Sequence, residues 1–231
     1  RIYSQAQQQI SFLLHCRTAM EAISCAASSS SDGPTTTAPP TATTLQKMNN
    51  GFDCFVVLDF EATCADGKQI KPQEIIEFPL VVVDALDGRV VGEFRTYVRP
   101  VHHPILTAFC QQLTGIQQSS VDEAPTWPGA LALAQAWLQE KLAECGFRNF
   151  VFVTCGDWDL LKMIVQQCAT SREHVPESFR RWVNIKNVFQ TTLSKKGRGM
   201  VGMLKDLGLP LEGRHHSGLD DSRNIAKILA E

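Results

Sequence analysis

Three absences narrow the classes of protein to which this sequence can belong. It has no excess of positive charge, because 22 Lys and Arg stand against 24 Asp and Glu, so it does not coat nucleic acid through bulk charge. No apolar run approaches the roughly 20 residues of a membrane-spanning helix. None of the eight cysteines forms a C-x-x-C pair, which argues against a zinc ribbon or a disulfide framework and favours buried free thiols in a reducing compartment.

Residues 1–50 differ from the rest of the chain. The low-complexity tract SSSSDGPTTTAPPTATT cannot bury a core, so a disordered N-terminal segment is expected. Few acids and many Ser and Thr would also suit an organellar transit peptide, but Arg1 and Arg17 are the only arginines there. We expect a disordered tail and a cytoplasmic or nuclear protein, with an organelle as the alternative if this segment is a transit peptide.

A globular pattern begins at residue 53. Strands are predicted in CFVVLDF, IIEFPLVVVDA, VVGEFRTYVRP and FVFVTC, with a turn at 86–89. Helices are predicted in HPILTAFCQQLTGI (opened by its proline), PGALALAQAWLQEKLAEC, DLLKMIVQQC, MVGMLKDLG and DDSRNIAKILAE. The segment VNIKNVF fits either a strand or a helix. This order predicts one α/β domain over residues 53–231, with a mixed sheet flanked by helices.

Two carboxylates end the first predicted strand. Asp59 and Glu61 in LDFEATC stand at positions i and i+2, which share one face of a strand. Such a pair after an apolar run repels and resists burial unless a divalent cation lies between the two groups. The alternative is a pair of solvated acids at a strand end.

A third carboxylate heads the last predicted helix. Ile225, Ile228 and Leu229 follow Asp221 at +4, +7 and +8, so Asp221 lies on the stripe that must face the core. A carboxylate there needs a partner. A helix N-cap is the ordinary function of such an aspartate, but Asp220 can serve as the cap and leaves Asp221 without a structural role.

Histidines and a fourth acid add to this set. His215 to Asp220 and His216 to Asp221 both have the spacing H-x-x-x-x-D, and a histidine there is suited to take a proton from an attacking water. Spacing alone does not choose between them.

The fourth acid is Asp157 or Asp159 in GDWDL, at a strand-to-helix turn where ligands often bind. The apolar stripe of the following helix favours Asp157, which could equally be an N-cap.

Five segments of the sequence resemble one nuclease family. VVLDFEATC, QEIIEFPLVVVD, FCQQLTGI, FVTCGDWDL and GRHHSGLDDSRNIA are similar to the Eri-type branch of the DEDDh 3′–5′ exonucleases, over residues 53–231. The resemblance implies a ribonuclease-H-like fold, two Mg²⁺ or Mn²⁺ ions and RNA with a free 3′-hydroxyl as substrate. It implies that four acids hold metal (Asp59, Glu61, Asp159 and Asp221), that Glu61 is also catalytic, and that His216 is the general base. The family often has proline where His215 stands.

The same resemblance implies a pocket for one terminal nucleotide. Phe109 and Trp158 would be its base-stacking walls, although Phe109 could instead be a core residue of its helix. Leu113 and Thr114 would shape the floor, and backbone groups of Ala62 and Thr63 would meet the 3′-hydroxyl. Residues 172–214 carry nine Lys and Arg against four Asp and Glu. Phosphate contacts are expected there from Arg180, Arg181, Lys186 and the run Lys195-Lys196-Gly197-Arg198, or the run is a solvated loop.

Two other functions fit part of this pattern. One is a DNA-trimming or proofreading exonuclease. The other is a non-catalytic RNA-binding adaptor on the same fold, although an adaptor has no use for clustered buried charge.

Oxygen ligands suit Mg²⁺ or Mn²⁺ rather than zinc at the four-acid site.

Overall fold

The computed structural model describes residues 51–231, so the predictions for residues 1–50 lie outside the described part. Six strands form one sheet: β1 (Cys54–Val57), β2 (Glu61–Ala62), β3 (Ile75–Asp84), β4 (Val90–Tyr97), β5 (Phe150–Thr154) and β6 (Trp182–Asn184). β1 and β2 pair antiparallel with one edge of β3, and β4 pairs antiparallel with the other. β5 is parallel to β1, and β6 is parallel to β5. The mixed sheet is therefore confirmed.

Helices lie between the strands and after them. They are α1 (Ala108–Thr114), α2 (Gln118–Asp122), α3 (Trp127–Cys145), α4 (Ile164–Thr170), α5 (Ile185–Leu193), α6 (Met200–Leu207) and α7 (Gly218–Ala230). A π-helical turn, Trp158–Met163, leads into α4, and a 3₁₀ turn, Glu177–Arg180, precedes β6. The turn predicted at 86–89 joins β3 to β4.

Both faces of the sheet are covered, which explains why β1 is a continuous apolar run and why β3 is apolar apart from Glu77 and Asp84. On one face, alternate residues such as Val56 and Phe78 pack against α3 and α4. On the other, Val57, Val81 and their neighbours pack against α5, α6 and α7. The carboxyl end of β1 therefore lies between two helical layers, where the functional acids are found.

The first predicted strand is interrupted. β1 ends at Val57 and pairing with β3 resumes at Glu61. At the break, the carboxylate of Asp159 accepts the N–H of Phe60 at 2.9 Å. The Asp159 side chain therefore takes the place of a strand partner for the Phe60 N–H. Asp59 lies at this interruption and not within a strand.

Two helix starts also differ from prediction. α1 begins at Ala108 and not at Pro104, because the Thr107 hydroxyl accepts the N–H of Cys110 at 3.0 Å and caps the helix there. α7 begins at Gly218 with Ser217 as its cap residue, so the predicted capping role of Asp220 is wrong. The Asp220 carboxylate instead accepts the backbone N–H of Arg214 at 2.9 Å.

The ambiguous segment VNIKNVF contains both kinds of structure. β6 ends at Asn184, whose side chain accepts the N–H of Lys186 at 3.1 Å and starts α5. The six cysteines within residues 51–231 are free thiols, as predicted for that part of the chain, and three of them are buried. No helix in the same range is long and apolar enough to cross a membrane.

Candidate metal and nucleotide site

Three predicted acids come together at the carboxyl end of β1. Asp59 lies at the strand break, Glu61 begins β2, and Asp221 is in the first turn of α7. One carboxylate oxygen of each lies within 4.8 Å of the other two. Glu61 and Asp221 are buried, and Asp59 is partly exposed. The prediction that these acids converge is therefore correct, although they are separated by up to 162 positions in the sequence.

Asp159 is the fourth acid beside this cluster. It is 4% exposed, and its bond to the Phe60 N–H places it next to Asp59. Asp157 is exposed and accepts the indole N–H of Trp182 at 3.0 Å. The periodicity argument for Asp157 was wrong because the π-helical turn has a different repeat, which leaves Leu161 51% exposed.

The crowding and burial of these acids raise their pKa values. Desolvation, and then the charges of Asp159, Asp221 and Glu61, raise the pKa of Asp59 well above its ordinary value. Desolvation, and then the charge of Glu77, raise the pKa of Glu61 to about 9. Desolvation also raises the pKa of Asp159 to about 6, while its bond from Phe60 acts in the opposite direction. The cluster therefore holds excess negative charge that a cation would neutralise.

The metal-free protein should lose stability as the pH rises from 6.5 to 8.5. Unfolded Glu61 ionises near its ordinary pKa of 4.5, whereas the folded group keeps its proton up to about 9. The folded state thus binds more protons across this window, so the free energy of unfolding must fall as pH increases. Urea unfolding in EDTA, repeated with excess Mg²⁺, measures both slopes. We expect Mg²⁺ to remove the decline, and a flat profile in EDTA would contradict the assigned crowding.

The donor set fits hard divalent cations. Three carboxylates whose oxygens lie within 4.8 Å of one another can bind one such ion together. Oxygen ligands suit Mg²⁺ and Mn²⁺. A purely structural cluster would need cationic side chains or hydrogen-bond donors to offset the charge. Here Lys186 lowers the pKa of Asp159 through its charge, but burial still dominates.

The histidine loop, residues 214–217, is bound directly to Asp221. The backbone N–H of His216 donates to Asp221 Oδ2 at 2.9 Å, and His215 Nδ1 lies 3.0 Å from the same oxygen. The two imidazole rings stack with centroids 3.9 Å apart. Desolvation, followed by the charge of His215, lowers the pKa of His216. Both histidines therefore reach the acid cluster, and the choice of His216 as general base stays a prediction.

Glu77 is a further buried acid at this site, beside the four predicted ones, and the sequence reasoning missed it. It is 1% exposed and stands opposite Glu61 in the β2–β3 pairing. Its carboxylate accepts the N–H groups of Gly218 and Leu219 at 2.9 and 3.2 Å, so it anchors the first turn of α7 to the sheet. An acid inside the apolar run IIEFPLVVV was a usable signal, since such a group needs a partner.

The predicted pocket residues have different environments. Phe109 and Trp158 are 37% and 39% exposed, so Phe109 is not a core residue of its helix. The N–H of Thr63 donates to the Glu74 carbonyl at 2.8 Å, and its hydroxyl accepts the Glu74 N–H at 3.0 Å. Both groups are used within the fold, and the Ala62 carbonyl accepts the Cys110 thiol at 3.8 Å. Contacts of Ala62 and Thr63 with a 3′-hydroxyl therefore stay a prediction.

The end of α1 is tied to the histidine loop. The Arg214 guanidinium donates to the carbonyls of Gln112 and Leu113. The Thr114 hydroxyl donates to the Cys110 carbonyl at 2.9 Å, and the helix ends at Gly115 in the left-handed conformation. Leu113 is half-buried and Thr114 is buried. The segment predicted to form the pocket floor is thus fixed to the residues that precede His216.

Of the residues predicted to contact phosphate, Lys186 lies near the acids. A Cβ built on Gly156 would lie 3.4 Å from the Lys186 ammonium, which places Lys186 against the turn before Asp159. Arg180 pairs with Glu177 at 3.2 Å, and Arg181 lies over the Phe52 ring at 5.9 Å. Lys195 and Lys196 are exposed. Phosphate contacts remain a prediction for all of them, with Lys186 the best placed.

Sequence comparison places this chain in a known family. The family model described as Exonuclease matches residues 56–229. ERI1 exoribonuclease 3 of Homo sapiens is 43% identical over 177 residues, which cover 76% of this chain and 52% of that protein. The 3′-5′ exoribonuclease 1 of Rattus norvegicus is 37% identical over 181 residues, covering 77% and 52%. This chain spans about half the length of these two relatives and 28% of ERI1 exoribonuclease 2 of Xenopus laevis.

Solved structures agree with the sequence relatives. The nuclease domain of 3′hExo, described as a DEDDh family member bound to rAMP, superposes with a TM-score of 0.72 at 37% identity, covering 78% of this chain and 90% of that one. A 3′-exonuclease recognising the histone mRNA stem-loop gives a TM-score of 0.73 at 36% identity, covering 78% and 63%. The ribonuclease-H-like fold is confirmed. Because the family model covers most of the chain, this protein belongs to the exonuclease family, in its Eri-type DEDDh branch.

Proposed function

We propose that this chain is a divalent-metal-dependent 3′–5′ exoribonuclease that removes single nucleotides from a free 3′-hydroxyl end. The observation that carries the proposal is the convergence of Asp59, Glu61 and Asp221 within 4.8 Å, beside a loop that carries two histidines. RNA as the substrate is supported by the names of the relatives and by the ligands in the two solved structures.

Each residue has a distinct part in the proposed reaction. Mg²⁺ or Mn²⁺, held by the three clustered acids with Asp159 beside them, would stabilise the negative charge that develops at the phosphate. Asp221 holds the histidine loop through the His216 N–H. The His216 imidazole takes the proton of the attacking water, and its lowered pKa keeps it in the accepting form at neutral pH. The product is a nucleoside 5′-monophosphate.

A pocket for one terminal nucleotide would account for attack at an end rather than within the chain. The exposed rings of Phe109 and Trp158 offer stacking surfaces for one unpaired base. A paired terminal base must first be unstacked, which costs a few kcal/mol. We therefore infer a preference for single-stranded ends. The 2′-hydroxyl is the group by which such a site can distinguish RNA from DNA.

The decisive experiment uses RNA and DNA of equal sequence, single- and double-stranded, with and without Mg²⁺ or Mn²⁺. We expect mononucleotide release from single-stranded RNA only when metal is added. Blocking the 3′-hydroxyl should stop the reaction, and blocking the 5′ end should not. Cleavage of circular RNA would contradict an end-specific pocket, and faster loss of DNA would replace the proposal by a DNA-trimming enzyme. RNA binding without hydrolysis under every metal condition would indicate an adaptor.

Replacing His216 by Ala should slow hydrolysis about 10²- to 10⁴-fold, the usual contribution of a general base. The loss should depend on pH, since the proton acceptor is gone. His215→Ala is the matched control, because it removes the neighbouring imidazole that also touches Asp221, and it should cost much less. Single-turnover rates from pH 5.5 to 8.5 measure both. A larger loss at His215 would show that the assigned position is wrong by one residue.

A further inference from the structure

The histidine loop forms a second group of metal-binding atoms beside the four acids. One ligand atom each of His215, His216 and Asp221 lies within 4.8 Å of the other two. His215 Nδ1 is 3.0 and 3.3 Å from the two Asp221 oxygens. Asp221 also belongs to the all-oxygen group with Asp59 and Glu61. Two potential cation sites of different chemistry therefore share one carboxylate.

The donor types of the two groups select different metals. Three carboxylates are hard ligands and suit Mg²⁺ or Mn²⁺. Two imidazoles with one carboxylate match the ligand sets of open zinc sites, in which three protein ligands leave the fourth position to water. Zinc–ligand bonds of about 2.0–2.2 Å in a tetrahedron place neighbouring ligand atoms about 3.3 Å apart. The distances from His215 Nδ1 to the two Asp221 oxygens, 3.0 and 3.3 Å, are close to this value.

The group is also accessible and held in place. The His215 side chain is 44% exposed, so an ion can reach the nitrogen atoms from solvent. The Arg214 guanidinium fixes the loop to the end of α1, and the His216 N–H fixes it to Asp221. A pre-formed loop loses little conformational entropy when it binds an ion.

We propose that His215, His216 and Asp221 form a zinc site, and that Zn²⁺ bound there inhibits hydrolysis. An imidazole nitrogen that ligates zinc has no lone pair with which to accept a proton. The shared Asp221 would also be withdrawn from the all-oxygen group. The binding part is independent of the proposed function, whereas the inhibitory part rests on it.

Binding is tested without any assay of activity. The full chain, freed of metal with EDTA and dialysed, is titrated with Zn²⁺ against a fluorescent zinc chelator, and with Co²⁺ as a spectroscopic probe. We expect one equivalent to bind, with a tetrahedral Co²⁺ absorption band. His215→Ala should weaken Zn²⁺ binding at least tenfold. Excess Mg²⁺ should weaken it in the unsubstituted protein, because Asp221 is shared.

A second pair of adjacent histidines supplies the control. His102 is exposed, and its recorded bond is through the backbone N–H to Glu74. Among the described residues, this pair is in no group of three metal-binding side chains. His102→Ala should leave Zn²⁺ affinity unchanged, and thermal unfolding must show both variants folded. The proposed site is overturned if His215→Ala and the unsubstituted protein bind Zn²⁺ with equal affinity. It is also overturned if Asp59→Asn loses Zn²⁺ binding while His215→Ala retains it.

Inhibition is measured separately on Mg²⁺-supported hydrolysis of single-stranded RNA. Zn²⁺ should inhibit at the concentrations that fill the site, and His215→Ala should raise the half-inhibitory concentration by the same factor as the dissociation constant. Zinc that binds at His215 without slowing hydrolysis overturns the inhibitory part. If no condition gives hydrolysis of RNA, the proposed function fails, and the binding titration still decides whether the zinc site exists.

Discussion

Asp59→Asn and Asp221→Asn should each reduce hydrolysis by more than about 10³-fold, beyond the usual loss for one electrostatic donor in an active site. Each substitution removes one of the three carboxylates whose oxygens lie within 4.8 Å. An amide keeps the shape but cannot supply a negative charge to a divalent cation. Single-turnover hydrolysis of 3′-labelled RNA at saturating Mg²⁺ or Mn²⁺ measures the loss.

Both variants should remain folded, and Asp59→Asn should gain stability without metal. The pKa of Asp59 is raised mainly by desolvation and then by its acidic neighbours, so its charge is unfavourable in the metal-free fold. Replacing it with a neutral group removes that cost. Thermal unfolding in EDTA at pH 8 should therefore show a higher midpoint for Asp59→Asn than for the unsubstituted protein.

Asp157→Asn is the matched control for both measurements. Asp157 is exposed, two residues from Asp159, and its recorded partner is the Trp182 indole. Near-normal hydrolysis is expected for this variant. If Asp59→Asn or Asp221→Asn also turned over normally at saturating metal, the assignment of these acids as metal holders would be wrong.

Gly218→Ala should reduce hydrolysis about 10²-fold or more, although it changes no group that reacts. A Cβ at Gly218 would lie 2.5 Å from the Asp59 carbonyl oxygen and 3.2 Å from Pro79 Cγ. The first atom belongs to the backbone and cannot move aside, so the first turn of α7 must shift away from β1. Asp221 would move with it, and a displacement of about 1 Å at a reacting centre can cost 10²-fold.

The control for this prediction is Gly202→Ala in α6. An added Cβ there would lie 3.2 Å from Arg198 Cβ, a contact that small adjustments relieve. Alanine also favours a helix over glycine by roughly 1 kcal/mol. This variant should keep its activity and gain stability, as followed by hydrolysis rate and urea unfolding. Full activity of Gly218→Ala would mean that α7 does not need its close approach to Asp59.

Much of the site could be predicted from the sequence because its residues break local patterns. Asp59 and Glu61 interrupt an apolar run, and Asp221 occupies the core-facing stripe of α7. Acids at such positions need a partner wherever the chain folds. The family motifs then supplied the order of the acids and the choice of Asp159, against a periodicity argument that favoured Asp157. That argument failed because the π-helical turn does not have the α-helical repeat.

The tertiary structure decided which groups fix these acids in place. Glu77 binds the first turn of α7, Asp159 binds the Phe60 N–H, and Gly218 lets the helix reach the Asp59 backbone. Each contact joins positions about 100 or more residues apart in sequence, as the separations of 141 and 99 residues for the two hydrogen bonds illustrate. Local sequence patterns reflect the period of one helix or strand. The amino-acid sequence by itself therefore determined which charged groups this protein must bring together, whereas their distances and their neighbours follow only from the packing of α7 and the π-helical turn against the end of β1.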